Sequence, residues 1–407
     1  MTAKRTRANG EGSIFPYRSG FAAYVWVTKP DGKRTRKYVY GKTREDVHDK
    51  WIKLHAQAKA GPVATKVPRL GEYVTGWLEE VVRPNVAPLT YATYETFTRL
   101  YIIPGLGPAR LDRLQVRDVQ TWLNKIRETC QCCAQGKDAA RPAAKRRCCA
   151  LGRCCQDTLS GRSISDIRAV LRSALSSAIT EDLITKNVAA AVKLPTARSR
   201  KRKAWSGDEA RRFLESARAD DDPFYAAYVL VLVLGLRKGE VLGLAWDDVD
   251  LDSAELAIGW QVQRVRRKLL RRETKTEGSD ATLPLPAICV TALRHRQVRQ
   301  QRAKATAGNS WQDSGLVFTT RYGTPIEPRN FNRSYDRRIA KAGVRDITVH
   351  DARRTCGTLL ADLDVHPRVA MTILRHAQFS ITMEIYTQVS SEATRAALKK
   401  LGESLDG

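Results

Sequence analysis

A chain of 407 residues with 43% hydrophobic content holds enough apolar material for two or three domains with real cores. Its 70 Lys+Arg against 43 Asp+Glu leave a formal charge of +27, which suits a polyanionic partner and makes such binding fall steeply with salt. No apolar run reaches the roughly 18 residues of a membrane span, and no apolar segment directly follows the basic start as a secretory leader would, so the expectation is a cytoplasmic protein with no membrane partner.

The first module spans residues 1–64. Residues 13–17, 21–27 and 34–40 have strand composition, with turns at Ser19-Gly20 and Pro30-Asp31-Gly32. A helix follows over 43–60, opened by Thr43 as N-cap with Asp46 three residues on. Residues 1–44 carry eleven Lys/Arg against two Asp/Glu. A small basic sheet backed by one helix can lay its exposed face in a major groove, which makes Arg34, Arg36 and Lys37 candidate DNA contacts. A solvated basic tag or an oligomerisation sheet is the plainer alternative.

Residues 65–196 read as a helical bundle. Apolar residues recur at helical spacing over 69–78, 91–102, 116–126 and 163–183, and 103–108, Ile-Pro-Gly-Leu-Gly-Pro, reads as a break. Seven of the nine cysteines fall in an insertion at 130–155. In a reducing compartment disulfides are not expected. Cys130-x-x-Cys133 and Cys149-x4-Cys154 have ligand spacing for one tetrahedral Zn²⁺. Free thiols are the equal alternative, because the doubled Cys-Cys pairs leave the ligand set open. Cys289 and Cys356 read as ordinary buried thiols.

The run from 198 to 203 is strongly basic and would link the bundle to a final domain; Arg200, Lys201, Arg202 and Lys203 are further candidate DNA contacts. That final domain, 204–407, reads as mostly helical with a small antiparallel sheet. Residues 256–265 and 268–274 form a hairpin, and Lys275 sits on the next turn before 281–285. The tail over 390–401 is made of helix formers.

One constellation here carries chemistry. Arg237 lies in Leu-Gly-Leu-Arg-Lys-Gly-Glu, Lys275 in Thr-Lys-Thr-Glu-Gly-Ser, and His350 and Arg353 in His-Asp-Ala-Arg, and His376 precedes Tyr386 by ten residues. A phenol, with a pKa of about 10, is a poor nucleophile at neutral pH. Two guanidiniums, an ammonium and two imidazoles are what its attack on a phosphodiester requires. Guanidiniums stabilise the charge gathering on the phosphoryl oxygens, an imidazole takes the phenol proton, and a lysine returns one to the leaving oxygen. With the positive charge supplied by side chains, catalysis needs no cofactor. Taken singly, Arg237 reads as a helix-surface charge, His350-x-x-Arg353 as a helix N-terminus and Tyr386 as a core aromatic.

These boxes, in this order over about 150 residues, resemble the catalytic domain of the tyrosine recombinases, or phage-type integrases. Residues 234–250 resemble the family's first arginine box, 350–355 its His-x-x-Arg box, and Leu374-Arg375-His376 with Tyr386-Thr387 its closing pair. The sequence departs from the family pattern at Arg375, where glycine is usual, and after Lys275-Thr276, where an arginine is missing. The resemblance implies that Arg237 and Arg353 clamp the scissile phosphate. His350 accepts a proton, His376 supports the phosphate, Lys275 is the general acid and Tyr386 attacks, leaving a 3′-phosphotyrosine. Glu240, one turn after Arg237, supports the arginine cluster.

The implied fold is α+β and mostly helical: an arm-binding sheet and helix, a core-binding bundle, and a mixed catalytic domain. The implied activity is site-specific recombination that integrates or excises a mobile element such as a prophage. Its partner is double-stranded DNA at attachment sites, in the nucleoid. The enzyme acts as a homo-tetramer, with a host bending factor and an excisionase as optional accessories. A type IB topoisomerase and a catalytically silent DNA-binding protein are the alternatives.

Overall fold

The computed structural model describes residues 14–28, 32–61, 67–195, 204–274, 281–375 and 383. The chain divides into two compact units, Met1–Arg198 and Ser199–Gly407.

The first unit opens with an antiparallel sheet of β1 (Phe15–Tyr17), β2 (Gly20–Thr28) and β3 (Arg34–Gly41), in that order. Strand alternation turns Val25 and Val27 toward α1 (Arg44–Ala60), where they meet Leu54 and the partly buried Val39 and Trp51. Trp51 Nε1 donates to the carbonyl of Tyr24 at 3.1 Å. Thr43 caps α1 by accepting from the Asp46 amide at 3.2 Å.

The helical part comprises α2 (Leu70–Trp77), α3 (Pro88–Phe97), α4 (Val116–Glu128) and α5 (Gly161–Thr180). Its core joins Leu70, Val74, Ile102, Leu123, Ile167 and Leu171, all nearly inaccessible to solvent. Trp77 Nε1 donates to Ser177 Oγ at 2.9 Å and Tyr73 OH to Glu181 Oε1 at 2.8 Å, tying α2 to the far end of α5.

The break expected at 103–108 lies later than the sequence suggests. The chain stays helical through Leu106, because α3 widens over Thr98–Ile102 into a turn in which the Ile103 amide donates to the carbonyl of Thr98. Pro104, lacking an N–H, is absorbed by that wide turn. The same device follows α2, where Leu78–Val82 widens and the Arg83 amide donates to Leu78 just before Pro84. In both places the proline follows the wide turn directly and the chain stays helical past it.

The second unit contains α6 (Gly207–Ala219), α7 (Tyr225–Val233), α8 (Lys238–Gly243), β4 (Val249–Asp250), β5 (Glu255–Ile258), β6 (Trp260–Val265), β7 (Lys268–Glu273), β8 (Ala281–Pro284), α9 (Ala287–Ala307), α10 (Pro328–Ala342), α11 (Val349–Asp362) and α12 (Pro367–Leu374). Helix α7 is apolar on every side and runs through the middle of the unit, packed on α9 and α11. Around it Phe213, Tyr228, Phe331, Tyr335 and Trp205 form a ring-on-ring cluster with centroids 4.9 to 6.2 Å apart. Truncating one of these rings costs about 3–5 kcal/mol.

The predicted strand over 256–265 is two strands. Gly259 divides it, so that β5 pairs with β4 and β8 in one sheet while β6 and β7 form a separate hairpin. The carbonyl of Gly259 accepts from the Thr274 amide at 2.8 Å, closing the hairpin where Lys275 follows. Among the described residues no helix is long and apolar enough to cross a membrane.

Candidate active site

The site is built where α7 ends. Residues Leu234 to Leu236 turn the chain from α7 to α8 through Gly235, whose φ is +60°. A Cβ there would lie 2.6 Å from Leu374 Cδ2, so both the backbone angle and the space demand glycine. The turn delivers Arg237 as N-cap of α8, and its amide donates to Glu240 Oε2 at 2.8 Å. Arg237 is therefore not a charge on the surface of the preceding helix. Its guanidinium Nη1 also donates to Glu240 Oε1 at 2.6 Å, and Nη2 to the carbonyl of Arg375 at 3.4 Å.

His350 and Arg353 come from the first turn of α11, three residues apart and thus on one face. That helix is opened by Thr348, which accepts from the Asp351 amide while Asp351 Oδ2 accepts from Thr348. The plain reading, a helix N-terminus with Asp351 in its first turn, is thus correct as structure and compatible with a site. Arg353 is buried, and its Nη1 and Nη2 donate to the carbonyls of Gly235 and Leu374.

Arg237, His350 and Arg353 line one cavity of about 1190 Å³, with Lys238 beside them. The electrostatics favour an anion there. Glu240 is nearly inaccessible and sits between Arg237 and Arg375, whose Nη2 donates to Glu240 Oε2 at 2.7 Å. Burial alone would raise its carboxyl pKa, but the charge of Arg375 and the hydrogen bonds from Arg237 outweigh this and hold it below the usual range. One carboxylate thus faces three guanidiniums. Burial, then the charge of Arg237, pushes Arg353 down to about 9, so it stays charged at neutral pH. Burial, followed by the charges of Arg353 and others including Arg237, lowers His350 below its ordinary 6.5 and leaves it neutral, able to accept a proton. Burial also lowers Lys238, which donates to Asn332 Oδ1 at 3.1 Å.

Similar proteins share this arrangement's order of segments and fold. Residues 204–393 match the phage integrase family, and residues 69–127 match the N-terminal SAM-like domain of phage integrases. The chain belongs to the phage integrase family. It is a tyrosine-type site-specific recombinase. Among relatives, it is 26% identical over 393 residues to a tyrosine recombinase XerC-like protein of Caldanaerobacter subterraneus subsp. tengcongensis, covering 92% of this chain and 93% of the other. It is 27% identical over 368 residues to an integrase of Streptomyces ambofaciens, covering 88% and 86%. Its fold is similar to that of the Tn1549 transposon integrase solved in complex with transposon right end DNA. That likeness has a TM-score of 0.64 at 18% identity and covers 82% of this chain and 99% of that one.

The recombinase carries two site features that the sequence alone does not single out. Arg375, in the place where glycine is usual, ends α12 with φ +51° and ψ +49°, so its backbone takes the left-handed turn that glycine would take. Its side chain folds inward onto Glu240, and its Nε is buried without a partner among the described residues. The departure from the family pattern was the available signal. Lys238, adjacent to Arg237, is the second; only its half-buried place beside the cavity marks it.

Other expected residues scatter. Lys275, His376 and Tyr386, and the linker residues Arg200, Lys201, Arg202 and Lys203, lie outside the described residues. Arg34 and Arg36 share the exposed face of the first sheet, with Arg36 over the rings of Tyr24 and Trp26 at 4.8 Å each. Lys37 has the opposite parity and belongs to the face that meets α1; burial lowers its pKa, against the opposing pull of Asp112. In the cysteine cluster, Cys148 and not Cys149 joins Cys130, Cys133 and Cys154. The cause is Asp138, fully buried, which accepts from the amides of Arg147, Cys148 and Ala150. That turn points Cys148 inward and leaves the adjacent Cys149 exposed.

Proposed function

We propose that this recombinase cuts and rejoins double-stranded DNA through a 3′-phosphotyrosine on Tyr386, integrating or excising a mobile element at attachment sites. The observation that supports the reading best is the convergence of Arg237, His350 and Arg353, from two chain segments over a hundred residues apart, on one cavity whose buried carboxylate leaves the guanidiniums in excess. In this reading Arg237 and Arg353 hold the non-bridging oxygens of the scissile phosphate, and their hydrogen bonds strengthen as charge gathers there. Neutral His350 takes the phenol proton as Tyr386 Oη bonds to phosphorus and the 5′ oxygen departs. Lys275 protonates that oxygen, and His376 supports the phosphate. The 5′ hydroxyl of a second strand then attacks the phosphotyrosine and releases Tyr386, so the energy of the phosphodiester is conserved. Glu240 positions Arg237 and touches no substrate.

The N-terminal sheet would act as the arm-binding module, with Arg34, Arg36 and the exposed Trp26, Tyr38 and Tyr40 facing DNA. The working assembly would be a homo-tetramer on paired sites, and catalysis would need no cofactor. The test is a nicked duplex from the DNA flanking the gene, which traps the covalent intermediate by losing the attacking 5′ hydroxyl. An adduct that Tyr386→Phe abolishes supports the reading. An adduct that survives that substitution refutes the nucleophile.

A further inference from the structure

The insertion between α4 and α5 is folded around sulfur. Among its described residues the buried cluster consists of Cys130, Cys132 and Cys148 with the partly buried Cys155, and no aliphatic side chain joins it. A polar, basic segment of this kind has no apolar surface with which to offset the entropy of ordering its backbone. The sulfurs themselves form two overlapping groups. The Sγ atoms of Cys130, Cys133, Cys148 and Cys154 all lie within 4.8 Å of one another, and those of Cys132, Cys148 and Cys155 do the same.

We propose that these six cysteines bind two Zn²⁺ ions bridged by the thiolates of Cys130 and Cys148. Cys133 and Cys154 complete the first ion, and Cys132 and Cys155 the second. The spacing carries the argument. With Zn–S near 2.3 Å, the edge of a ZnS₄ tetrahedron is about 3.8 Å. The sulfurs of Cys130 and Cys148 are 4.0 Å apart, Cys130 and Cys155 3.8 Å, Cys133 and Cys148 3.3 Å, and Cys133 and Cys154 4.0 Å. Cys148 alone belongs to both groups; Cys130 belongs to the first and lies 3.8 Å from Cys155 of the second, and so is the sulfur available to complete the second ion as a bridge.

The surroundings fit thiolates. The Cys155 amide donates to Cys148 Sγ at 3.2 Å and the Gln156 amide to Cys154 Sγ at 3.3 Å. Arg141 Nη1 lies 3.6 Å from Cys132 Sγ, bringing a positive charge to an assembly whose net charge would be about −2. Loading both ions displaces to solvent whatever protons the six thiols still carry. Asp138 holds the Cys148 turn from behind and ligates nothing.

The experiment is metal analysis and native mass spectrometry of the full chain, purified under reducing conditions. Two Zn per wild-type chain are expected. Cys149→Ser, outside both groups, keeps two. Cys132→Ser, a ligand of the second ion alone, keeps one, and Co²⁺ added to the stripped protein gives tetrahedral thiolate bands that saturate at two equivalents. One Zn per wild-type chain, or two retained by Cys132→Ser, overturns the bridged pair. No metal, or iron with acid-labile sulfide, overturns zinc. Because the readout is stoichiometry, failure here leaves the recombination chemistry untouched.

Discussion

Removing the Glu240 carboxylate should unfold the catalytic unit at markedly lower temperature. Glu240 accepts from both Arg237 and Arg375, but the two pairs are not equal. The Arg237 side chain is 39% exposed and can turn to water when its partner is lost, whereas Arg375 is 1% exposed and cannot. The Arg375 pair therefore sets the magnitude. Stranding one buried charge costs about 3–5 kcal/mol. For a unit of this size each kcal/mol moves the midpoint by about 2–4 °C, so Glu240→Ala should lower it by about 6–20 °C. Glu240→Gln keeps the shape and some hydrogen bonding and should lose less.

The pH dependence supplies a second check. A carboxyl held below 4.5 when folded contributes stability that is present above the unfolded value and lost as pH falls through the folded one. Wild type should show that loss only in acid, and Glu240→Gln should lack it. The assay is thermal unfolding followed by circular dichroism across pH. A shift under about 2 °C for Glu240→Ala would mean that Arg375 is solvated and that the buried ion pair is not formed in solution.

Other consequences rest on named geometry. Gly235→Ala meets both a left-handed backbone and a contact at 2.6 Å, so it should destabilise by about 2–5 kcal/mol, read by chemical denaturation. With His350 held below 6.5, the acid limb of single-turnover cleavage should lie below pH 6.5, and a limb above that value would remove it as the base. Because the folded chain then binds fewer protons than the unfolded one, this histidine lowers stability as pH falls below 6.5. Arg34→Ala and Arg36→Ala should each weaken DNA binding and reduce the salt slope by about one, while Lys37→Ala, on the α1 side of the sheet, should change the slope less. Equal effects at all three positions would argue against reading the exposed face as the contact.

Much of this architecture was legible because local signals agreed with the fold. Alternation and turn residues located the three N-terminal strands within a residue or two, and Thr43 opened its helix as its capping pattern indicates. The arginine and histidine boxes announced the catalytic unit because their order is rare by chance. What misled was chemistry that depends on neighbours. Pro104 reads as part of a break, yet the wide turn ahead of it accommodates the missing N–H. Cys149 and Cys148 are indistinguishable by spacing, and only the distant carboxylate of Asp138 decides which points inward. Arg375 stands where the family pattern has glycine. It keeps the turn and adds a buried cation, which no local pattern foretells.

The proposed chemistry requires that Tyr386 become covalently joined to DNA at the cavity lined by Arg237 and Arg353. The most direct measurement incubates the protein with nicked duplexes tiling the DNA that flanks its gene, denatures the mixture, and maps the DNA-bearing peptide by mass spectrometry. A 3′-phosphodiester on Tyr386 is expected, absent from Tyr386→Phe and strongly reduced in Arg353→Ala. DNA attached to any other residue, or an undiminished adduct in Tyr386→Phe, would contradict it.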